Sequence, residues 1–92
     1  MSPHRPSPAR KPRLLVVTPN KGHLSVLARR LSEEGYGIAA ATDGSAALGQ
    51  LHRLGVDLVL AELVMTPMSG PELTRAIREQ ASFMHLPVML LA

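Results

Sequence analysis

The sequence predicts an α/β fold in which a parallel sheet is covered by helices. Three observations predict it: short apolar runs alternate with segments of helical periodicity, the connections are short, and glycine, proline or cap residues separate the segments. Strands and helices in this order, joined by right-handed crossovers, give a parallel sheet with helices on its faces. With 92 residues the chain forms one domain at most.

The first strand and the first helix are marked by clear boundaries. Residues 14–17 form an apolar run, typical of a strand buried on both faces. Pro19 ends this strand, and Asn20 can cap a helix that runs to about Glu34. Gly35 is predicted to stop that helix.

The middle of the chain repeats this pattern once more. Residues 36–42 predict a second strand of weak, alanine-rich propensity. The turn at residues 43–44 leads into a second, amphipathic helix that Gly55 closes. Residues 57–61 predict a third, buried strand.

The last third begins with a loop over residues 62–69. Ser69 and Glu72 have the spacing of a capping box, and the proline between them is tolerated in the first turn of a helix. That helix should bury Leu73, Ala76 and Ile77. Residues 87–91 predict a fourth strand.

The basic character of the chain lies in its first residues. The net charge is +3, but residues 1–13 hold four Lys/Arg and no acid, and the rest holds six Lys/Arg against seven Asp/Glu. Residues 1–12 are also proline-rich and are predicted to be a disordered basic arm. Such an arm is either a solvated leader or a segment that docks on nucleic acid, and four charges without aromatic residues do not favour nucleic acid.

Composition excludes several classes of site. The chain has no cysteine, so it forms no disulfide and no thiolate metal site, which fits a cytoplasmic protein. It has no apolar run near the ~20 residues of a membrane helix and no visible secretory signal. His23 and His52 are expected on exposed helix surfaces, and the histidines lack metal-ligand spacing. Four methionines are expected to fill the core, namely Met65, Met68, Met84 and Met89.

Taken together, four segments resemble the receiver domain of two-component response regulators. The resemblance covers residues 13–92 and is carried by residues 14–17, by residues 41–48, by residues 57–62 with Met65, Met68 and Gly70 after them, and by residues 86–91. It implies a three-layer, flavodoxin-like fold with strand order 2-1-3-4. Because the family continues with a helix, a strand and a last helix, the resemblance also implies that residues 13–92 form an incomplete receiver-like domain.

The resemblance assigns a role to the ends of the predicted strands. In the family, an Asp that ends the third strand accepts a phosphoryl group. Mg²⁺ is held by that Asp, an acidic pair after the first strand and a backbone carbonyl, while a Thr/Ser and a Lys bind the phosphoryl oxygens. These positions correspond to Glu62 for the acceptor, Thr18 and Pro19 for the acidic pair, and Ala92 for the Thr/Ser, with the Lys position past residue 92.

These substitutions predict that the phosphorylation chemistry is lost. Pro19 has no side-chain oxygen and Ala92 has no hydroxyl, so the Mg²⁺ site is predicted lost, with no cofactor and no enzymatic activity. Glu62 has three interpretations: a solvated carboxylate at a strand end, a fixed charge that stands in for the phosphorylated state, or a working acceptor.

We therefore expect a phosphorylation-independent module that binds a signalling partner such as a sensor kinase or an output domain. The alternatives are a nucleic-acid-associated protein that uses the basic arm, a true phosphoacceptor response regulator, and a remnant without function. Residues 86–91 carry no charge, so the fourth strand is expected to be an edge open to pairing with a second copy or a partner. No membrane partner is expected.

Overall fold

A computed structural model of the chain describes residues 11–92. The predicted arm therefore lies outside the described residues, except for Lys11 and Pro12. The elements are β1 (Arg13–Val17), α1 (Lys21–Glu33), β2 (Gly37–Ala41), α2 (Gly44–Arg53), β3 (Leu58–Glu62), α3 (Gly70–Arg78), a 3₁₀ turn (Ala81–Phe83) and β4 (Val88–Leu91).

The four strands form one parallel sheet in the order β2-β1-β3-β4, which confirms the predicted topology. Val17, the last residue of β1, pairs with Ala41 on one side and Ala61 on the other. Glu62, the last residue of β3, pairs with Leu91 of β4. The carboxyl ends of the strands consequently meet along one rim of the sheet, where α/β folds bind ligands.

The sheet separates two apolar layers. Leu15, Val17 and Val59 face the layer packed with residues of α2 and α3, and Leu14, Val16 and Leu60 face the leucines of α1. The layer under α2 and α3 is the more complete, because α1 contains no buried residue. The structure thus confirms the three-layer arrangement, with one face covered by α1 alone among the described helices.

Helix α1 begins and ends at the predicted residues. The Oδ1 of Asn20 accepts a hydrogen bond from the His23 backbone N–H at 2.9 Å, as expected of an N-cap. The helix ends at Glu33, and Gly35 follows with a φ of 97°, a left-handed conformation that glycine adopts without the strain of a side chain.

The end of β3 differs from the prediction in a way that affects the site. The apolar pattern placed Glu62 at the start of the loop, but it is the last residue of the strand, as the resemblance to receivers implied. The strand continues because the Leu63 N–H donates to the Leu91 carbonyl at 2.7 Å, which extends the ladder beyond the apolar run. Ladder hydrogen bonds, rather than hydrophobicity, decide where this strand ends.

The predicted capping box is present at the start of α3. Ser69 Oγ accepts from the Glu72 N–H at 3.2 Å, and the Ser69 N–H donates to Glu72 Oε1 at 2.9 Å. This bond from the Ser69 backbone is the main reason that the pKa of Glu72 lies below its usual value. A lowered carboxyl pKa contributes stability at neutral pH that is lost as the pH falls through the folded-state value.

We expect Ser69→Ala to lower the free energy of unfolding by about 1 kcal/mol, because the substitution leaves an N–H of the first turn without its acceptor. Urea unfolding followed by circular dichroism measures the change. Ser45→Ala is the matched control, since Ser45 is exposed in the first turn of α2, where Asp43 provides the cap. An equal loss from both substitutions would contradict the capping role of Ser69.

Two of the four methionines do not fill the core. Met65 is buried and Met68 is half-buried, as predicted, whereas Met84 and Met89 are 51% and 53% exposed. Met84 follows the 3₁₀ turn, which the sequence did not predict, and Met89 lies on the uncovered side of β4. Within residues 11–92, every helix is too short or too polar to cross a membrane.

Candidate functional site

The candidate site lies where β1 and β3 end on the same rim of the sheet. Thr18 follows β1 and is fully buried, and Glu62 ends β3 with a side chain that is 25% exposed. The two residues meet because Val17 and Ala61, which precede them, are direct partners in the parallel register. The structure therefore brings together two of the positions that the sequence singled out.

Thr18 is held by three hydrogen bonds that link three parts of the fold. Its hydroxyl donates to Glu62 Oε1 at 3.1 Å and accepts from the Asn20 N–H at 3.1 Å. Its backbone N–H donates to the carbonyl of Ala41, at the end of β2, at 3.1 Å. The side chain thus connects the end of β3 to the start of α1.

His23 completes the site, although only an exposed position on a helix surface was predicted for it. It lies in the first turn of α1, and its Nδ1 is 3.0 Å from Glu62 Oε1. Because an ionised carboxylate only accepts hydrogen bonds, Nδ1 carries the proton in this contact. The imidazole is 66% exposed, so the expectation of surface exposure is correct, but the ring has a specific partner.

A signal for His23 was present in the sequence. Asn20 caps α1, so His23 lies in the first turn of that helix, which begins at the rim where β1 ends. In a parallel sheet the neighbouring strand ends at the same rim, so a polar residue in the first turn of α1 comes near the end of β3. Metal-ligand spacing along the chain was the wrong criterion for this pair.

The remaining two positions contribute no polar side chain. Pro19 is exposed beside Thr18, and Ala92 follows β4. Ala92 lines a shallow groove of about 300 Å³ with the site residues and part of the apolar surface of α1, the full lining being His23, Val26, Leu27, Glu62, Leu91 and Ala92. The groove has one carboxylate and one imidazole along an otherwise apolar wall.

This donor set does not fit Mg²⁺. Magnesium prefers an octahedron of oxygen ligands and is usually held by one or two carboxylates with several waters. Glu62 is the one carboxylate among the residues lining the groove, and its Oε1 already accepts from Thr18 and His23. In residues 11–92, no cluster of three or more His, Asp or Glu residues could hold a metal ion.

The structure corrects the simplest interpretation of Glu62. A freely solvated carboxylate at a strand end would be exposed and without partners. Instead the Glu62 side chain is largely buried and has two hydrogen-bonding partners. The position of its carboxylate is therefore fixed by the surrounding residues.

Comparisons with known proteins agree with this architecture. The response regulator receiver domain family matches residues 14–92. The sensor histidine kinase TmoS of Ectopseudomonas mendocina is 34% identical over 82 residues, which cover 89% of this chain and 8% of that protein. The sensory transduction protein RegX3 of Mycobacterium tuberculosis is 34% identical over 77 residues, which cover 84% of this chain and 33% of that protein.

Solved structures show the same fold. The chemotaxis response regulator CheY4 of Vibrio cholerae superposes with a TM-score of 0.84 over 88% of this chain and 68% of that chain, at 23% identity. The N-terminal domain of a response regulator receiver protein from Methanoculleus marisnigri superposes with a TM-score of 0.84 at 30% identity, over 87% of this chain and 65% of that one.

The chain thus spans less than two thirds of the curated relatives that it matches, and in both the match is confined to one part of a longer protein. The strand order, the position of Glu62 at the end of β3 and the family match over residues 14–92 all agree. The chain belongs to the response regulator receiver domain family.

Proposed function

We propose that this receiver domain acts without phosphorylation of position 62 and transmits signals by binding other proteins. The observation that carries the proposal is the state of Glu62, which is held by Thr18 and His23. Thr18 and Pro19, at the positions of the acidic pair, provide no carboxylate. Without further oxygen ligands, a phosphoryl group at Glu62 has no metal ion to neutralise its charge.

The geometry of Glu62 also argues against attack on a phosphoryl group. Glutamate places its carboxylate one methylene further from the backbone than aspartate does, and a misplacement of about 1 Å can cost a rate factor on the order of 100. The Oε1 atom would have to give up its hydrogen bonds from Thr18 and His23 to act as the nucleophile. The same bonds favour a role for Glu62 as a fixed negative charge.

A fixed carboxylate reproduces part of the phosphorylated state. A phosphoryl group carries more charge and more acceptor oxygens than a carboxylate, so the imitation is partial. Its partners on this chain are the Thr18 hydroxyl and the His23 ring, both of which donate to the carboxylate. In this proposal the domain stays in one signalling state, and changes in partner concentration regulate it.

We infer that the partners are signalling proteins of the bacterial cytoplasm. The relatives include a sensor histidine kinase and a sensory transduction protein, so a kinase or an output domain is the expected class. A second possible surface is β4, which pairs with β3 within residues 11–92 and carries no charged side chain, so that a partner or another copy could add a strand to it. No catalytic role is proposed.

Incubation with acetyl phosphate and Mg²⁺ tests the proposal directly. We expect the intact mass of the protein to remain unchanged, because position 62 lacks both the metal ligands and the reach of aspartate. Glu62→Gln is the matched control, since its neutral amide accepts no phosphoryl group. A hydroxylamine-sensitive phosphoryl adduct on the native chain that is absent from Glu62→Gln would overturn the proposal.

Glu62→Asp separates the two proposed reasons why position 62 is not phosphorylated, namely the missing metal ligands and the greater length of glutamate. We expect this substitution alone to give no phosphorylation, because Pro19 still provides no ligand for Mg²⁺. The readouts are the intact mass and the Mg²⁺-dependent binding of beryllofluoride. Phosphorylation of Glu62→Asp would show that the length of the side chain, rather than the missing acidic pair, is what prevents the reaction.

A further inference from the structure

A groove between the N-termini of α2 and α3, the α2–α3 groove, has no part in the proposed function. Its volume is about 310 Å³, and it is lined by Asp43, Gly44, Ser45, Pro67, Met68 and Glu72. It lies on the face of the sheet that α2 and α3 cover, opposite α1. Because every lining residue falls within residues 43–72, the groove is formed by described elements alone.

The floor of the groove is apolar and tightly packed. Met68 is half-buried against the first residue of α2, since a Cβ atom at Gly44 would lie 2.6 Å from Met68 Sδ and 3.1 Å from Met68 Cβ. Pro67 is exposed next to Met68. The close contact fixes the start of α2 against the loop that leads into α3, so the groove is a preformed feature of the fold.

Two carboxylates border this floor, and each uses one oxygen to cap a helix. Asp43 Oδ1 accepts from the Ala46 N–H at 2.8 Å, and Glu72 Oε1 accepts from the Ser69 N–H at 2.9 Å. Within residues 11–92 the second oxygens, Oδ2 and Oε2, accept no hydrogen bond, and neither side chain is in an ion pair. The groove therefore suits a cationic group that is accompanied by apolar surface.

The positive ends of the two helices do not reverse this preference. Each helix N-terminus is equivalent to about +0.5 elementary charge, so the two carboxylates leave the groove with a net charge of about −1. Arg75 lies one turn further along α3 and acts on Glu72 through its charge. Arg75 is exposed and forms no ion pair with Glu72, so solvent screens its effect.

The chain itself contains a segment with the matching chemistry. Residues 1–13 hold four Lys/Arg and no acid, whereas the rest of the chain holds seven acids against six Lys/Arg. Arg5 is followed by Pro6, and Pro3 lies two residues before it. Proline-rich segments lose little conformational entropy when they dock, because their residues already favour an extended conformation.

The spacing along the chain selects Arg5 as the residue that reaches the groove. The Pro12 carbonyl accepts from the Gly37 N–H at 2.9 Å, which places Pro12 at the amino end of the sheet. Asp43 follows Gly37 by six residues, so the two are at most ~20 Å apart at ~3.3 Å per residue. The seven residues from Pro12 back to Arg5 span ~22 Å at ~3.1 Å per residue, whereas the two residues back to Arg10 span ~6 Å.

We propose that the segment around Arg5 docks in the α2–α3 groove of its own copy. The Arg5 guanidinium lies between Asp43 and Glu72 and donates to the carboxylate oxygens that the helix caps leave free. The neighbouring prolines pack on Met68. Because Oδ1 and Oε1 stay in their caps, docking does not compete with the start of either helix. The segment is thus an internal ligand of the groove.

Two introduced cysteines test the docking in the full chain, which has none of its own. Ser7 is two residues from Arg5, and Ser45 is exposed at the rim of the groove. We expect the Ser7→Cys/Ser45→Cys variant to form its intramolecular disulfide at least ~10-fold faster than a control pair, because docking raises the effective concentration of the two thiols. Intact mass after thiol alkylation measures the rate.

The matched control pairs Ser7→Cys with Ser25→Cys. Ser25 is exposed in the second turn of α1, so it lies toward the same rim of the sheet but on the opposite face. A segment that is not held by the groove meets either cysteine without preference. The two variants have the same composition and differ only in the face that carries the second thiol.

Charge reversal identifies the anchoring residue. In the Ser7→Cys/Ser45→Cys variant, Arg5→Glu should lower the rate of disulfide formation to that of the control pair. Arg10→Glu makes the same change of charge five residues away and should leave the rate unchanged. Glu72→Gln should also slow the reaction, because the amide keeps an acceptor for the capping box but loses the charge.

Equal rates for the two cysteine pairs are expected of a solvated leader or of an arm that binds nucleic acid, and they would overturn the proposal. Equal effects of Arg5→Glu and Arg10→Glu would do the same, as would a disulfide that joins two copies. Circular dichroism of each variant controls for folding. No outcome affects the proposal that position 62 acts without phosphorylation, because Glu62 does not line this groove and is unchanged in every variant.

Discussion

Gly70→Ala is expected to destabilise the domain by about 3 kcal/mol, near the upper end of the range for overpacking a tight contact. A Cβ atom at position 70 would lie 2.5 Å from the Glu62 carbonyl oxygen, 2.9 Å from Leu90 Cδ2 and 3.1 Å from Leu63 Cα. Two of these three neighbours are backbone atoms of the β3 end, so they cannot move aside by a change of rotamer. The start of α3 or the end of β3 must shift.

The close approach at Gly70 has a structural purpose. Its N–H donates to the Leu63 carbonyl at 3.0 Å, which ties the first residue of α3 to the residue after β3. The contact holds Glu62 in place from the backbone side, while Thr18 and His23 hold its carboxylate. Gly70→Ala should therefore disturb the candidate site as well as the stability.

Gly49→Ala is the control for this prediction. Gly49 is exposed in the interior of α2, and a Cβ there would have no neighbour within 4 Å. Alanine at an open helical position is favoured over glycine by about 0.5–1 kcal/mol. Urea unfolding of both variants should thus give changes of opposite sign, and a loss of stability in both would show that the tight packing at Gly70 is not the cause.

Most of the fold could be predicted from local signals. Asn20 and Ser69 were predicted as N-caps, and each accepts the expected hydrogen bond from the third residue of its helix. Asp43, predicted only as part of a turn, caps α2 in the same way. The apolar runs at residues 14–17 and 57–61 mark β1 and β3, the two central strands of the sheet. A central strand is covered on both faces, so its sequence is a continuous apolar run that can be recognised. These elements depend on residues that are close together in the sequence, so local sequence patterns predict them.

The strand ends and the exposed methionines could not be predicted in the same way. Glu62 belongs to β3 because Leu63 reaches the Leu91 carbonyl, a partner 28 positions along the chain. Met89 is exposed although its neighbours in β4 are half-buried, because α1 does not extend over that strand. In both cases tertiary contacts decide where the residue lies. The local sequence alone predicted a loop for Glu62 and a core position for Met89.

The contact between His23 and Glu62 is another tertiary contact that the local sequence does not predict. The two residues are 39 positions apart, and neither has a spacing that indicates a partner. The resemblance to receivers identified Glu62, Thr18, Pro19 and Ala92, because these are positions of a known pattern. It did not identify His23, since nothing in that pattern assigns a role to the residue.

Thr18→Val is expected to lower the free energy of unfolding by about 1–3 kcal/mol, because it leaves partly buried polar groups with one partner fewer. Valine has nearly the shape of threonine, so the loss reports the hydroxyl rather than packing. Without it the Glu62 carboxylate loses one of its two donors, and the Asn20 N–H at the start of α1 loses its acceptor. Urea unfolding at neutral pH measures the change.

The exposed Thr42→Val provides the matched control and should change stability by no more than about 0.5 kcal/mol. A double-mutant cycle with Glu62→Leu then isolates the bond between the two side chains. If the Thr18 hydroxyl acts through the carboxylate, Thr18→Val should cost less in the Glu62→Leu background, because no buried charge is left without its donor. If Thr18→Val lowers the free energy of unfolding equally in both backgrounds, Thr18 supports α1 through Asn20 and does not hold Glu62. The interpretation of Glu62 as a fixed charge would then depend on His23 alone.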